Sequence, residues 1–582
     1  MSTLPDRWIV DDPPSDTYPL YTRANVGEVF PDPVSALSWT LAARPGAEQG
    51  WRDALVRYGA FDHDEFSDAH SEILACFGGY AYLNVSITRV FGVRTPGLTP
   101  EQVDYSLWGE MPGIAPYQAR PTDESPAHSA RIAETLQWIF TIDSLPDLAD
   151  DQRQMRELRV KRPDVSALGD AELLDRTREL MGKWFRYLFA QHLYTSYCAL
   201  VPAGVIAQVT AELGDPTLAM RLVSSLGGVD SAAPSFALWD LGRLVAGSKA
   251  LTRAFDEGVP GLGERLRASS DADGSRFLAG FDRFLDDYGS RGPNEWEMRS
   301  PSWEIRPELA LAAVDRMRLT SDRDAPQVHH DKLAAERAQL SEDAVAKLAG
   351  NPEGQAQFQG ALRAASVFFP GRERTKTTII MLVHECRVLM QELGRRMVDA
   401  GHFEIPGSFA MLMNEEFDDF LADPGSWART IREREEVYAR LEELSPPFIM
   451  DARAGDPPPL GRWSRRDEHT VELAGAGDVL AGIPGCPGRA TGRARVILDP
   501  SDPSALEPGD VLVAPITDPA WTPLFCPAGA VVVDVGAQVS HAVIVSRELG
   551  IPCVVSVTDG TMRIPDGATV TVDGTAGTVT IH

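Results

Sequence analysis

Two hydrophobic rhythms divide the chain. From about residue 70 to 450, apolar residues recur near every 3.6 positions with Glu, Arg and Lys between them. The pattern is clearest over 170–200, 274–288, 333–348, 361–369, 377–400 and 427–444. That spacing predicts amphipathic helices, with no internal repeat of fixed period. From about 480 to 582 the rhythm changes to short β-branched runs punctuated by Gly and Pro. These predict strands over 490–498, 510–516, 530–535 and 553–557, and a hairpin over 568–581 turning at Asp573-Gly574. One helical pattern, 541–549, lies among them and is stopped by Gly550 and Pro552. Between the two regions, 451–467 holds Gly455-Asp-Pro-Pro-Pro459 and a charged run from Arg462 to Glu468, the make-up of a semi-rigid linker. The predicted organisation is multidomain: a large, mostly α-helical body over 1–450, a linker over 451–479 and a C-terminal α/β domain over 480–582.

Composition narrows the class. With 582 residues the chain has length for about three to four domains. Its 55 Lys and Arg stand against 84 Asp and Glu, a net charge of −29. This argues against nucleic acid or an anionic membrane as partner. Six cysteines lie scattered without a CxxC pair, so they read as reduced, buried thiols rather than a disulfide framework or a zinc site. The first residues lack the apolar core of a signal peptide. The most apolar long stretch, 377–390, is interrupted by His384, Glu385 and Arg387 and is too short and charged to span a bilayer. A cytoplasmic enzyme is the expectation.

The richest chemistry lies at His541. The apolar run 531–535, a small-residue loop and then the 541–549 helix place this histidine in a first helical turn, behind Ser540, a favourable N-cap residue. The first N–H groups of a helix are free and partly positive, so they stabilise an anion. Imidazole is partly neutral near neutral pH, and a ring nitrogen can attack phosphorus. A histidine at this place can carry a phosphoryl group.

Ser540-His541-Ala542, Ile544-Val545 and Arg547-Glu548-Leu549-Gly550-Ile551-Pro552 resemble the signature of the phosphohistidine, or swivelling, domain of the PEP-utilising enzymes. Ala537 stands where that signature has its second glycine, and Val539 where Thr or Met is usual. Further blocks resemble rifampicin phosphotransferase-like enzymes. They are Tyr21-Thr-Arg-Ala-Asn-Val-Gly-Glu28, Pro33 to Trp39, Tyr82 to Ser86, Tyr288-Gly-Ser-Arg-Gly-Pro-Asn-Glu295 with Ser290 in place of a frequent His, Pro301-Ser-Trp303 and Asp518 to Phe525. Gly371-Arg-Glu-Arg-Thr-Lys376 resembles the family's Arg-Glu-x-x-Lys element, whose cations assist transfer beside the phosphohistidine; they correspond to Arg372 and Lys376. Four residues apart, the two share a helix face, and an anion between them would relieve their repulsion. Arg23, Glu28, Arg291 and Glu295 sit in matching blocks, where they would serve a phosphate, Mg²⁺ or a hydroxyl, or pair with each other.

The resemblance implies a helical substrate-binding body joined to the phosphohistidine domain. Enzymes of this type also carry an ATP-grasp domain; here the helical-body blocks begin at Tyr21, and no P-loop GxxxxGK[ST] occurs. The expectation is a phosphotransferase component. A separate ATP-grasp partner, binding ATP with Mg²⁺, would load His541, and the phosphoryl group would pass to a hydroxyl of a small organic acceptor. The alternatives are a dehydratase that phosphorylates and then eliminates an alcohol, and a non-catalytic phosphocarrier. Trp108, Trp138, Trp184, Tyr187 and Phe189 hint at a hydrophobic acceptor or form ordinary core. The His329-His330-Asp331 run reads as solvated rather than as a metal site.

Overall fold

A computed structural model describes residues 4–67, 70–108, 113–215, 217–268, 271–322, 325–468, 471–500, 506–518, 521–536 and 540–582. Two sequence features fall outside these residues: Ala537-Gln538-Val539 in the loop before His541, and Pro519-Ala520 in the Asp518–Phe525 block. The chain forms a large, mostly helical body and a C-terminal α/β region. Contacts gather it into two compact units that interleave along the sequence. The first holds Met1–Ala199, Trp296–Ser300 and Arg374–Thr470; the second holds Leu200–Glu295, Pro301–Glu373 and Val471–His582. The linear reading, by contrast, sets its boundaries at 450 and 480.

Two helices are longer than their rhythm predicts. Asp170–Glu212 runs for 43 residues through Pro202, and Pro352–Asp399 for 48 residues through Pro370. A proline removes one helical N–H and crowds the preceding turn, so sequence alone suggests a break. Apolar residues recur on both sides of each proline, and tertiary burial keeps the helix going. One window of Asp170–Glu212 has a mean hydropathy of 1.2, long and apolar enough to cross a membrane by composition. Met181, Phe185, Leu188 and Phe189 of that helix are buried, while Tyr187 and Leu200 are exposed. In the 377–390 stretch, Ile379, Ile380, Leu382, Val383, Cys386 and Met390 are buried likewise. All six cysteines are free and buried.

The first unit also contains an antiparallel sheet that the periodicity does not reveal. Strands β1 (Leu20–Thr22), β2 (Leu74–Phe77), β3 (Tyr80–Asn84) and β4 (Ile449–Asp451) lie in the order β2-β3-β1-β4. Strand β4 pairs Leu20 with Asp451 and Thr22 with Ile449. Residues 451–463 of the supposed linker are therefore folded, and that part of its reading is corrected. Leu460 and Trp463 are buried, Trp463 stacks on Tyr80 at 6.1 Å, and its indole donates to the Pro458 carbonyl. The Pro-Pro-Pro run stiffens this segment, while apolar anchors on either side of Arg462 fasten it down.

In the second unit, strands β5 (Val479–Ala481), β6 (Ile483–Cys486), β7 (Arg489–Val496), β8 (Val511–Ala514), β9 (Ala530–Val533), β10 (Cys553–Val555), β11 (Thr569–Asp573) and β12 (Thr578–Ile581) form one sheet. Its order is β5-β12-β11-β7-β8-β9-β10-β6. Strands β7 to β10 are parallel neighbours and the rest pair antiparallel. Both faces of the central strands are covered. Val511, Val513 and Val532 enter a core with Val554, Val570 and Val579. Leu512, Ala514, Val531 and Val533 enter another with Leu238, Phe281, Phe284, Trp303 and the His541 helix. Burial on both faces explains why these strands read as continuous apolar runs. The edge strand β6 accommodates Pro484, which has no N–H for a second ladder.

The helix His541–Leu549 crosses from β9 to the parallel strand β10, a βαβ connection. Gly550 caps it at φ 70°, ψ 32°. A Cβ there would lie 2.9 Å from Leu333 Cδ1. Gly550→Ala should cost about 1–3 kcal/mol through left-handed strain, with the contact adding to it. A thermal midpoint equal to wild type would contradict this.

Candidate functional site

His541 is the first residue of its nine-residue helix, just beyond the C-terminal end of β9. In open α/β sheets this end of the strands is where ligands bind. Its imidazole is held at both nitrogens: Nδ1 lies 3.1 Å from Thr517 Oγ1 and Nε2 lies 3.2 Å from Thr522 Oγ1. Both threonines are buried. Phe525 meets the ring edge-on, with centroids 5.9 Å apart and planes at 88°. A hydroxyl can donate or accept, so the two threonines suit either neutral tautomer. Whichever nitrogen attacks an electrophile must first lose its threonine partner.

Ser540 occupies the N-cap position with extended dihedrals, φ −70° and ψ 161°. Its carbonyl accepts the Ile544 N–H at 3.0 Å. The expected side-chain cap is missing, however. The Ser540 hydroxyl is buried, and among the described residues it meets no hydrogen-bond partner. A buried hydroxyl therefore lies beside His541 at the start of this helix, the end at which the helix dipole favours an anion.

Asp534 follows β9 on the same approach. It accepts hydrogen bonds from Thr561 N at 2.8 Å and from the Thr561 hydroxyl, pinning the turn at Gly560–Arg563. Burial raises its carboxyl to about 7, with Asp559 adding to the rise and Thr561 opposing it. An unfolded aspartate titrates near ~3.9. The folded value is the higher one, so the stability this group contributes is fully present below pH ~4 and is lost as pH rises through about 7. A carbon-detected NMR titration should give Asp534 a midpoint near 7, and Asp534→Asn should remove this part of the stability profile. A midpoint in the ordinary carboxylate range would contradict the burial argument.

Arg372 lies in the second unit and Lys376 in the first, four residues further along one continuous helix. Arg372 NH1 is 3.2 Å from Glu373 Oε1, and Glu373 also accepts from the Ser231 hydroxyl. Arg547, from the His541 helix, is buried. Its pKa is lowered first by that burial and further by Arg372. The second unit thus gathers His541, Arg372 and Arg547, and Arg547 is a cation the sequence reading matched only as part of a motif.

The other candidates fall differently. Arg23 is buried and donates to the carbonyls of Ala81, Phe30 and Pro31, between the rings of Tyr80 and Tyr82. This corrects its reading as a phosphate ligand: its guanidinium ties backbone together. Arg291 and Glu295 pair with each other at 2.9 Å with side chains only 2% and 1% exposed, so their charges are matched inside the fold. Glu28 is half-buried in the short helix Val26–Val29. Among the described residues, Asp62, Glu65 and His128 come close enough together to share a metal. Arg131 holds Asp62 at 2.7 Å and Arg94 holds Glu65 at 2.6 Å, so the group is an ion-pair network. His330 meets Asp331 at 3.5 Å and packs edge-on against Phe236.

Of the aromatics singled out from sequence, Tyr187 is exposed and reaches Asp151, Trp184 lies under Lys183, and Trp138 packs on Tyr194. Trp108 is half-buried at the end of Pro100–Trp108. Phe189 is buried against Trp51, Phe185 and Trp296. Sequence reasoning missed His192, one helical turn after Phe189, whose Nδ1 lies 3.0 Å from Thr375 Oγ1. Only the i, i+3 spacing from Phe189 could have flagged it.

Comparison with known proteins gives two domain matches: residues 191–373 to the rifampicin phosphotransferase fourth domain, and 506–577 to the mobile domain of PEP-utilising enzymes. An uncharacterised protein of Mycobacterium tuberculosis is 33% identical over 291 residues, 50% of this chain and 30% of that protein. The rifampicin phosphotransferase of Streptomyces sviceus is 30% identical over 302 residues, 51% and 34% respectively. The prodigiosin synthesizing transferase PigC of Serratia marcescens is 31% identical over 309 residues, 52% and 33%. The chain spans about a third of the length of these relatives.

Proposed function

Because the chain belongs to the PEP-utilising, rifampicin phosphotransferase-like family, we propose that it is a phosphotransferase component that carries a phosphoryl group on His541. A separate ATP-grasp partner, holding ATP with Mg²⁺, loads the histidine, and a hydroxyl of a small organic acceptor receives the group. The place of His541 supports this reading: a first-turn histidine at the end of a parallel strand, at a helix N-terminus and beside the buried Ser540 hydroxyl, which meets no partner among the described residues. In the first half-reaction a ring nitrogen forms a bond to phosphorus while the donor's P–O bond breaks, its electrons leaving with the nucleotide. In the second, the acceptor oxygen bonds to phosphorus, the P–N bond breaks, and its electron pair returns to the imidazole. The acceptor's proton goes to a base. One threonine releases its ring nitrogen for the attack while the other holds the ring in place.

The test supplies the donor. With the ATP-grasp partner, ATP and Mg²⁺, intact mass should rise by one acid-labile phosphoryl group. Purified alone, the chain should leave ATP unconsumed. Robust ATP consumption by the isolated protein, read as ADP or AMP, would overturn the assignment of the donor to a partner.

A further inference from the structure

A cavity of about 380 Å³ opens on the first unit between the helices Glu48–Tyr58 and Asp170–Glu212. That volume lies within the roughly 300–1,000 Å³ typical of small-molecule sites. Gly50 lets the two helices approach closely: a Cβ there would lie 2.6 Å from the Arg186 carbonyl oxygen. Positions 183, 186, 187, 190 and 191 then share the face of the longer helix that borders Asp53 and Arg57 of the shorter. Charge here is the reverse of the whole chain's. The protein carries −29, yet the lining holds Arg57, Lys183 and Arg186, with Asp53 its one carboxylate among the described residues. Asp53 is occupied by Arg186, at 2.6 and 2.8 Å. Arg57 lies over the Tyr194 ring at 3.9 Å and Lys183 over the Trp184 ring at 4.8 Å, and among the described residues neither meets a carboxylate. A buried polar chain fixes Arg57 further. The amide oxygen of Gln191, a residue only 8% exposed, accepts from Arg57, and its NH₂ donates to the Tyr187 hydroxyl at 2.9 Å. That hydroxyl in turn reaches Asp151. Tyr187 is so anchored, yet it stays 44% exposed beside the cavity. At Gly182 a Cβ would meet nothing within 4 Å, so this wall is bare backbone.

We propose that this cavity binds an aryl phosphate, with Arg57 and Lys183 on its phosphate and Tyr187 against its ring. The site uses neither His541 nor Arg372, so it stands or falls apart from the phosphotransferase reading. Two cations without a carboxylate match the charge of a phosphomonoester, about −1.5 to −2, better than the single charge of a carboxylic acid. The Arg57 guanidinium offers a planar fork with donors left over for two oxygens of an oxyanion. Gln191 and Tyr194 hold that fork in advance, which lowers the ordering cost of binding. Lys183 adds a point charge. The Tyr187 ring supplies a flat surface for an aromatic partner, and Ala190 and Gly182 leave room for it. Arg57 and Lys183 are exposed, so water and salt screen them and the binding is sensitive to ionic strength.

The test labels the full chain with 3-fluorotyrosine and titrates it with phenyl phosphate. The ¹⁹F signal missing from Tyr187→Phe identifies position 187. It should shift saturably, and Arg57→Gln should weaken the titration about tenfold, the loss expected for one charge-assisted contact. Gly182→Leu should block binding with every charge in place. Its side chain grows into the open cavity, and leucine suits a helix better than glycine, so the fold is kept. Inorganic phosphate and benzoate should each bind more weakly than phenyl phosphate. No saturable shift, or unchanged affinity in Arg57→Gln or in Gly182→Leu, overturns the site. Benzoate binding as tightly as phenyl phosphate overturns the phosphate as the recognised group, and inorganic phosphate doing so overturns the role of the ring.

Discussion

Replacing His541 by alanine should abolish phosphoryl loading, reducing incorporation from one group per chain to background. No other described side chain combines a ring nitrogen with this setting at the end of β9. The imidazole lies between Thr517 and Thr522 at 3.1 and 3.2 Å and edge-on to Phe525, in a first helical turn. Alanine removes the nucleophile and is compatible with the helix, so the fold should survive. His541→Asn keeps a polar group near the threonines yet offers no basic ring nitrogen, and should be equally dead. Intact mass after incubation with donor, ATP and Mg²⁺ reads the result, and circular dichroism verifies folding. Stable, acid-labile incorporation into the alanine variant would show that the carrier is another residue.

Arg372→Ala and Lys376→Ala should each fold normally and transfer slowly. A phosphoryl group in flight spreads charge over its oxygens, and catalysis of its transfer is mostly positioning and electrostatic stabilisation. One charge-assisted contact made in the transition state is worth ~3–4 kcal/mol, or about 10²–10³ in rate, by analogy with oxyanion-hole deletions. The loss should fall on turnover more than on acceptor binding. Arg372 offers a fork of donors and is paired with Glu373, which in turn accepts from Ser231, so its orientation is fixed from behind. Arg372→Lys should therefore recover only part of the rate, because a point charge cannot reproduce the fork. Single-turnover discharge of phosphorylated His541 measures the effect. Near-wild-type rates in both alanine variants would reduce the pair to a solvated helix face.

What the chain discloses by itself depends on whether a signal is local. The His541 helix was predicted over 541–549 and is found at His541–Leu549, because Ser540 and Gly550 bracket it with cap-compatible residues. Strands β7 to β12 were legible for a similar reason: turn residues bound each apolar run. Strands β5 and β6 were not, since Gly482, Pro484 and Gly485 break any run, and their pairing depends on partners far along the chain. The β1–β4 sheet escaped for the same reason, joining residues near 20, 75, 82 and 450. The linker reading failed because Gly and Pro content reports stiffness but not burial, and Leu460 and Trp463 decide the outcome.

The site shows the same division. His541 and Arg372 were visible as motif residues. The pairing of Arg291 with Glu295 and the backbone duties of Arg23 emerge only from three-dimensional burial. Thr517 and Thr522, which clamp the imidazole, lie 24 and 19 residues from it; Thr522 falls in the Asp518–Phe525 block, but nothing local pairs either threonine with His541. His192 meets Thr375 across 183 residues. Contacts of that range depend on the fold and not on any window of sequence.

The central claim is that His541 is a phosphoryl carrier, and peptide mapping of the loaded protein followed by a chase tests it most directly. After loading by the donor partner with ATP and Mg²⁺, and digestion at a pH that preserves phosphohistidine, the phosphoryl group should map to the peptide containing His541 alone. Adding a hydroxyl acceptor should discharge that peptide while the acceptor gains the group. A phosphoryl group found on another residue, or one that stays on His541 through repeated cycles of acceptor turnover, would contradict the account.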